Sequence, residues 1–192
     1  MELHKLNDEW KLYIHYPNDL NWDLSGYKLI SNIKTIEESI ELFNLISDDL
    51  YTKCMFFLMR NNVTPIWEDD NNINGGAFSY KINNANIKTI WKKICYQTVG
   101  ESLLMDISNS SIINGITLSP KKNFSILKIW TKNCDITDPL CINYFDEFTS
   151  ENCIFKKHIS TKHYEGAKEG KRRPRLACHV CHKTDNFGWL VC

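Results

Sequence analysis

Several absences narrow what this chain can be. No apolar stretch approaches the ~20 residues needed to cross a bilayer, and the charged opening Met1-Glu2-Leu3-His4-Lys5 is unlike a signal peptide. A soluble protein of the cytoplasm is expected. Lysines and arginines number 23 and so do aspartates and glutamates. A general polyanion-coating role therefore finds no support, and any nucleic-acid affinity must come from a local patch. There is no internal repeat, no glycine-rich nucleotide loop between a strand and a helix, and no helix with clustered metal-binding glutamates, which argues against an enzyme. Glutamine occurs once, as Gln97, against abundant asparagine, isoleucine and lysine. That bias suggests an A/T-rich coding sequence, as in a virus or a protist.

What is present suits one core. At 192 residues and 43% hydrophobic content the chain has the length of a single domain. The eight cysteines are expected to stay reduced in a chain without an export signal. Thr35 and Glu38 have capping-box spacing, and Ile36, Ile40, Leu42, Phe43 and Ile46 recur at helical intervals, predicting a helix over 35–47. A second helix is expected over 87–104, with Ile87, Ile90, Trp91, Ile94, Cys95 and Thr98 along one face and Gly100 inside its last turns. Pro139, behind Thr137 or Asp138, opens a predicted third helix reaching Phe148. Alternating or β-branched runs over 9–16, 56–60, 77–81, 111–118 and 125–131 read as antiparallel strands. The class is α+β. A composition shift near Gly166 divides the chain into a main domain, 1–165, and a basic, cysteine-bearing extension, 166–192.

The most informative segment is Pro65-Ile66-Trp67-Glu68-Asp69, followed by Asn74-Gly75-Gly76. An indole face stacks on a base, and the adjacent carboxylate accepts two hydrogen bonds from the ring N–H and exocyclic amine of guanine, a donor pair that adenine lacks. With it come, in order, Trp10-Lys11-Leu12-Tyr13, Trp22, Thr35-Ile36-Glu37-Glu38 with Leu42-Phe43-Asn44, then Trp91 with Val99-Gly100-Glu101, and Ile129-Trp130-Thr131. This series, from Leu6 to Thr131, resembles the eukaryotic translation initiation factor 4E family, which binds the 7-methylguanosine cap of mRNA. The resemblance implies a strongly curved antiparallel sheet with about three helices on its convex face and the ligand slot on the concave side. Trp22 and Trp67 would sandwich the cationic methylated base, Glu68 would read its edge, and Trp130 would fill the floor. Trp10 and Trp91 are read as core.

The resemblance breaks in three places. Lys121 stands on a basic family position, but Asn123 and Ile126 occupy two others. Lys128, on the face of Trp130 by strand periodicity, and Lys122 at the hairpin tip are candidate replacements. Ala77 and Phe78 stand where an arginine and a tryptophan are usual. On the partner-binding surface His4, Ile36 and Gly100 agree with the family, whereas Ile40 replaces a tryptophan, Lys92 and Lys93 replace a leucine and a glutamate, and Tyr96 replaces a leucine. An acidic anchor has become a lysine, which repels a basic peptide.

The expected function is non-enzymatic: a divergent or virus-encoded cap-binding protein that brings capped mRNA to a translation initiation complex through a dedicated 4G-like scaffold. The alternative is a cap-sequestering repressor that engages no such scaffold. A monomer outside that complex, without membrane attachment, in the cytoplasm (of the host for a viral protein), is expected. No cofactor is required. In the extension, Cys178 and Cys181 have the spacing of half a zinc site, with Cys153, His158, His163, His182 and Cys192 as further donors. Such a metal would hold Lys162 and the basic run 171–175 near the cap phosphates.

Overall fold

The computed structural model describes residues 3–158. Seven strands, β1 (Lys5–His15), β2 (Lys28–Thr35), β3 (Met55–Arg60), β4 (Gly76–Asn83), β5 (Ile113–Pro120), β6 (Phe124–Thr131) and β7 (Cys153–Lys157), form one curved sheet in the order β2-β1-β3-β5-β6-β4-β7. Every neighbouring pair is antiparallel. Five strands were legible from alternation. The two outermost, β2 and β7, were not.

Strand alternation sorts the side chains into two layers. Trp10, Leu12 and Ile14 of β1, Phe56 and Leu58 of β3, Ile116 and Leu118 of β5, and Leu127 and Ile129 of β6 point to the convex side and join the main core under the helices. The intervening residues face the concave side. There a smaller cluster of Phe57, Met59, Val63, Ala77 and Trp130 gathers, with Tyr13, Tyr27, Met55 and Trp67 packed against it. That second layer lines the candidate site.

Helix α1 (Ile36–Leu45) begins at the expected capping box: Thr35 Oγ1 accepts from the Glu38 amide at 3.2 Å, and Glu38 Oε2 accepts from the Thr35 amide at 3.0 Å. A short α2 (Asp48–Lys53) follows, too brief to leave a periodic signal. Helix α3 (Ile87–Val99) buries the predicted stripe, Ile87, Ile90, Trp91, Ile94, Cys95 and Thr98, together with Val99. It stops short of the predicted Leu104. Gly100 is the cap, and the left-handed position after it is taken by Glu101, with φ of 55°. Ser102 N donates to Gln97 O at 2.9 Å and Glu101 N to Thr98 O at 3.2 Å, the paired bonds of a Schellman ending.

A left-handed glutamate costs about 1–2 kcal/mol, and its side chain shows what holds it there. Glu101 Oε1 accepts from Arg60 Nη1 at 2.8 Å and Oε2 from Asn7 Nδ2 at 3.1 Å. Arg60 also bonds Asp8, donates to the carbonyls of Ile113 and Ser110, and lies 4.6 Å from the Trp10 ring centre. The end of α3 is thereby fastened to β1, β3 and β5.

The predicted third helix does not form. Its start survives as a 3-10 turn, Pro139–Cys141, capped by Asp138. Beyond it the chain runs beside residues 103–105, with Met105 N on Cys141 O at 2.9 Å and Asn143 N on Leu103 O at 3.0 Å. Ile142, Phe145 and Phe148 have helical spacing but are buried from irregular backbone. Phe148 lies 4.6 Å from Phe145 and 4.5 Å from Tyr80, centre to centre, so tertiary packing overrides the local pattern. The extension 166–192, Lys162, Cys178 and Cys181 lie outside the described residues. Among the described residues Cys54, Cys95, Cys134, Cys141 and Cys153 are free thiols, and no three His, Cys, Asp or Glu side chains are grouped to hold a metal. No described helix is long and apolar enough to cross a membrane.

Candidate functional site

The Trp67-Glu68 pair rides on loop 61–75 between β3 and β4, and short polar side chains hold that loop in shape. The Asp69 carboxylate accepts from Thr64 N and Thr64 Oγ1 and from Asn71 N at 2.8 Å. Burial works against its charge, but these hydrogen bonds outweigh it and keep its pKa below the ordinary value. Asn72, fully buried, donates to the carbonyls of Thr64 and Ile66 at 3.1 and 2.8 Å, pinning the residue before Trp67. Asn114 of β5 donates to Asn71 O and to Asn72 Oδ1 at 2.7 and 2.9 Å. The double glycine closes the loop where no side chain fits: a Cβ on Gly75 would sit 1.7 Å from Thr131 O, and one on Gly76 2.6 Å from Lys156 O. Trp67 emerges half-buried against the concave cluster, with Glu68 exposed beside it.

Trp22 is presented by a second built loop. Asn21 N donates to Asp19 Oδ1 at 2.9 Å, Asn21 Oδ1 accepts from Asp23 N at 2.8 Å, and Asn21 Nδ2 reaches Ser25 Oγ at 2.7 Å. One face of Trp22 stacks on His15, with ring centres 4.3 Å apart and planes 8° from parallel, while the indole remains 47% exposed. His15 is itself buried and donates from Nε2 to Asn21 O at 3.0 Å. The aromatic row continues from His15 to Tyr27 at 5.2 Å and from Tyr27 to Phe57 at 5.0 Å. Burial, and then the nearby charge of Glu68, push the Tyr27 pKa to about 12. Through His15 and Tyr27, Trp22 therefore belongs to the surface that carries Trp67 and Glu68.

The floor is set by strand register. Gly115, Trp130, Ala77 and Lys156 lie directly opposite one another across β5, β6, β4 and β7, and Thr117, Lys128 and Ser79 form the next row. Beyond β7, His158 returns to this face. Its ring centre is 5.1 Å from that of Trp130, its Nδ1–H donates to Asn72 O at 2.7 Å, and its amide donates to Gly75 O at 2.9 Å. Burial lowers the His158 pKa, as does Lys128, while Asn72 O and Glu68 act in the opposite direction. Trp67, Glu68, Trp130, Lys128 and His158 thus share one neighbourhood. Lys121 and Lys122 are in the β5–β6 turn, past the Pro120–Ser125 pair, at least five strand residues or roughly 17 Å along β6 from Trp130.

The matched sequence decides what kind of protein carries this arrangement. The profile of the family described as eukaryotic initiation factor 4E matches residues 5–169. The chain belongs to the initiation factor 4E family. It is 25% identical to the initiation factor 4E homolog of Acanthamoeba polyphaga mimivirus over 88% of this chain and 86% of that protein. It is 31% identical to initiation factor 4E-2 of Schizosaccharomyces pombe over 73% of this chain, a match spanning 58% of the yeast protein's own length. Initiation factor 4E-3 of C. elegans, solved with the 4E-binding protein Mextli and a cap analog, has the same fold, with a TM-score of 0.62 and 22% identity over 69% of this chain and 76% of that one. Members of the initiation factor 4E family are cap-binding factors of translation, not enzymes.

On the convex face of this 4E-type fold the partner-surface candidates are only partly gathered. His4 Nδ1 meets Glu37 Oε1 at 2.7 Å, and the His4 carbonyl accepts from Ile36 N at 2.9 Å. Ile36 and Ile40 are 44% and 46% exposed. Lys92 Nζ donates to Asn44 Oδ1 at 2.6 Å, and Tyr96 sits edge-on to Phe43 at 5.6 Å, so these side chains bridge α1 and α3. Lys93 turns the other way, to Glu147 at 3.4 Å and over the Phe145 ring at 5.2 Å. Gly100, exposed, caps α3. Reading the sequence missed His15, Tyr27, Lys156 and the pocket role of His158. The alternation Ile154, Lys156, His158 against Phe155 was the available signal for the last two, and five residues of strand are a short run from which to read it.

Proposed function

We propose that this protein binds the 7-methylguanosine cap of mRNA, with Trp22 and Trp67 stacking on the base, Glu68 accepting from its Watson–Crick edge and Trp130 beneath it, and that it delivers capped transcripts to a translation initiation complex in the cytoplasm. The observation that carries this reading is the pair of loops, each tied by its own asparagine and aspartate bonds, that hold Trp22 and Trp67-Glu68 out on the same aromatic-lined concave surface. The solved relative in complex with a cap analog supports the cap-binding half of the reading. A cationic base between two indoles gains about 0.5–2 kcal/mol that an unmethylated base does not.

The partner is a protein other than the usual tyrosine-containing helical peptide of 4G scaffolds. The exposed Ile36 and Ile40 offer an apolar anchor, while Lys92 on the adjoining helix favours an acidic rather than a basic flank. A sequestering repressor is the second reading, favoured by that same altered surface. The test is retention on 7-methylguanosine resin. Elution by 7-methyl-GTP but not by GTP supports the cap reading, and equal elution by both sinks it. A scaffold protein co-eluting with translation factors favours delivery; cap retention without one favours sequestration.

A further inference from the structure

Phosphate oxygens are best met by cations and hydroxyls carried on rigid strands. On the concave face two lysines meet that description beside Trp130. Lys128 lies two residues along β6, about 7 Å away, and Lys156 lies two strands across, about 10 Å away. The direction of Lys156 is fixed by its neighbours. Phe155 contacts Phe78 at 4.8 Å on the convex side, and His158 touches Trp130 on the concave side, so Lys156 between them projects concave. Between Lys156 and Trp130 stands only Ala77, whose methyl group leaves the lysine stem a low surface to cross. Lys128 has hydroxyls directly opposite on both sides, Thr117 and Ser79. The Thr117 hydroxyl is buried and has no hydrogen-bond partner among the described residues.

We propose that the phosphates of the bound nucleotide follow a track formed by the row Thr117–Lys128–Ser79 and completed by Lys156, so that the last strand of the sheet supplies a cation beside the base. The inference rests on the cap reading above. It gives β7 a specificity role: the strand that delivers His158 to the floor also delivers charge that favours a nucleoside triphosphate over a nucleoside monophosphate.

The test measures 7-methyl-GMP, 7-methyl-GDP and 7-methyl-GTP binding to the full-length protein and to Lys156→Ala, Lys156→Arg, Lys128→Ala and Lys121→Ala/Lys122→Ala. In the wild type affinity rises with each phosphate. Lys156→Ala and Lys128→Ala each reduce the triphosphate-over-monophosphate gain by about three- to tenfold and flatten its salt dependence. Lys156→Arg keeps the gain, and the melting temperature stays unchanged in all four variants. An undiminished gain in Lys156→Ala, with the gain lost in Lys121→Ala/Lys122→Ala, overturns the track while leaving the cap reading intact. A wild type that binds none of the three nucleotides overturns the cap reading and the track with it.

Discussion

The two faces of the sheet use tryptophan for opposite ends. Trp10 and Trp91, on the convex side, are fully buried, and their indole N–H groups find no hydrogen-bond partner among the described residues. Their apolar volume is what the core uses. Trp22 and Trp67, on the concave side, leave the strands altogether and stand on loops whose backbone is held by asparagine and aspartate side chains. An exposed indole costs hydrophobic stabilisation of about 2 kcal/mol, and a loop held against fraying presents that surface ready for a flat ligand. Of these four tryptophans, the two kept by apolar packing serve the fold, and the two held out by polar networks are those proposed to bind.

Substitutions on the two faces should therefore separate cleanly. The largest effect is expected from Trp91→Ala, which leaves a cavity in the main core and lowers unfolding free energy by about 3–5 kcal/mol in urea titration, with cap affinity preserved in whatever fraction stays folded. Trp67→Ala or Trp22→Ala should do the reverse, weakening 7-methyl-GDP binding by about 2 kcal/mol with a melting temperature close to wild type. A folded double variant that binds as tightly as wild type would end the comparison. Glu68→Gln should also weaken binding, since an amide replaces one acceptor by an unwanted donor.

A smaller effect tests the network itself. Asn114→Ala leaves Asn72 Oδ1 and Asn71 O without their donor and should cost about 1–3 kcal/mol of stability, accompanied by faster hydrogen exchange in loop 61–75 and little change in α3. The smallest is a pH effect. Because burial holds the His158 pKa below the ordinary 6.5, the unfolded chain takes up its proton first as the solution is acidified. Stability is then full above about pH 6.5 and falls as pH drops toward the folded value. His158→Gln should flatten that slope between pH 7.5 and 5.5 in urea titrations, and an unchanged slope would show that the imidazole is not its source.

The legible parts of the fold are those where local pattern and tertiary role agree. Thr35 and Glu38 announce a helix start and make one, and the stripe from Ile87 to Thr98 is both periodic and buried. Ile142, Phe145 and Phe148 show where agreement fails: their spacing is helical, but the backbone around Ile142 pairs with residues 103–105, and Phe145 bridges Phe148. The end of α3 was placed too late because Gly100 was read as lying inside the last turns, whereas the structure stops the helix there, gives the left-handed conformation to Glu101 and restrains it through Arg60. At the candidate site the stacking pair and its carboxylate stand out by residue type. His15, Tyr27, Lys156 and His158 do not, because their roles arise from strand register and from contacts across many residues of chain.

Strand β7 has a practical meaning for anyone shortening this protein. A version ended after Thr149 would retain Trp22, Trp67, Glu68, Trp130 and the whole of the helical layer. Yet β4 would become the sheet's outer edge, and the backbone groups of Gly76 to Tyr80 that pair with β7 would be left open along a run containing Ala77, Phe78 and Tyr80. Such an edge invites pairing with another copy of itself. The expected fate of that shortened protein is self-association, and a poor yield of it would say more about an uncovered strand than about the cap slot.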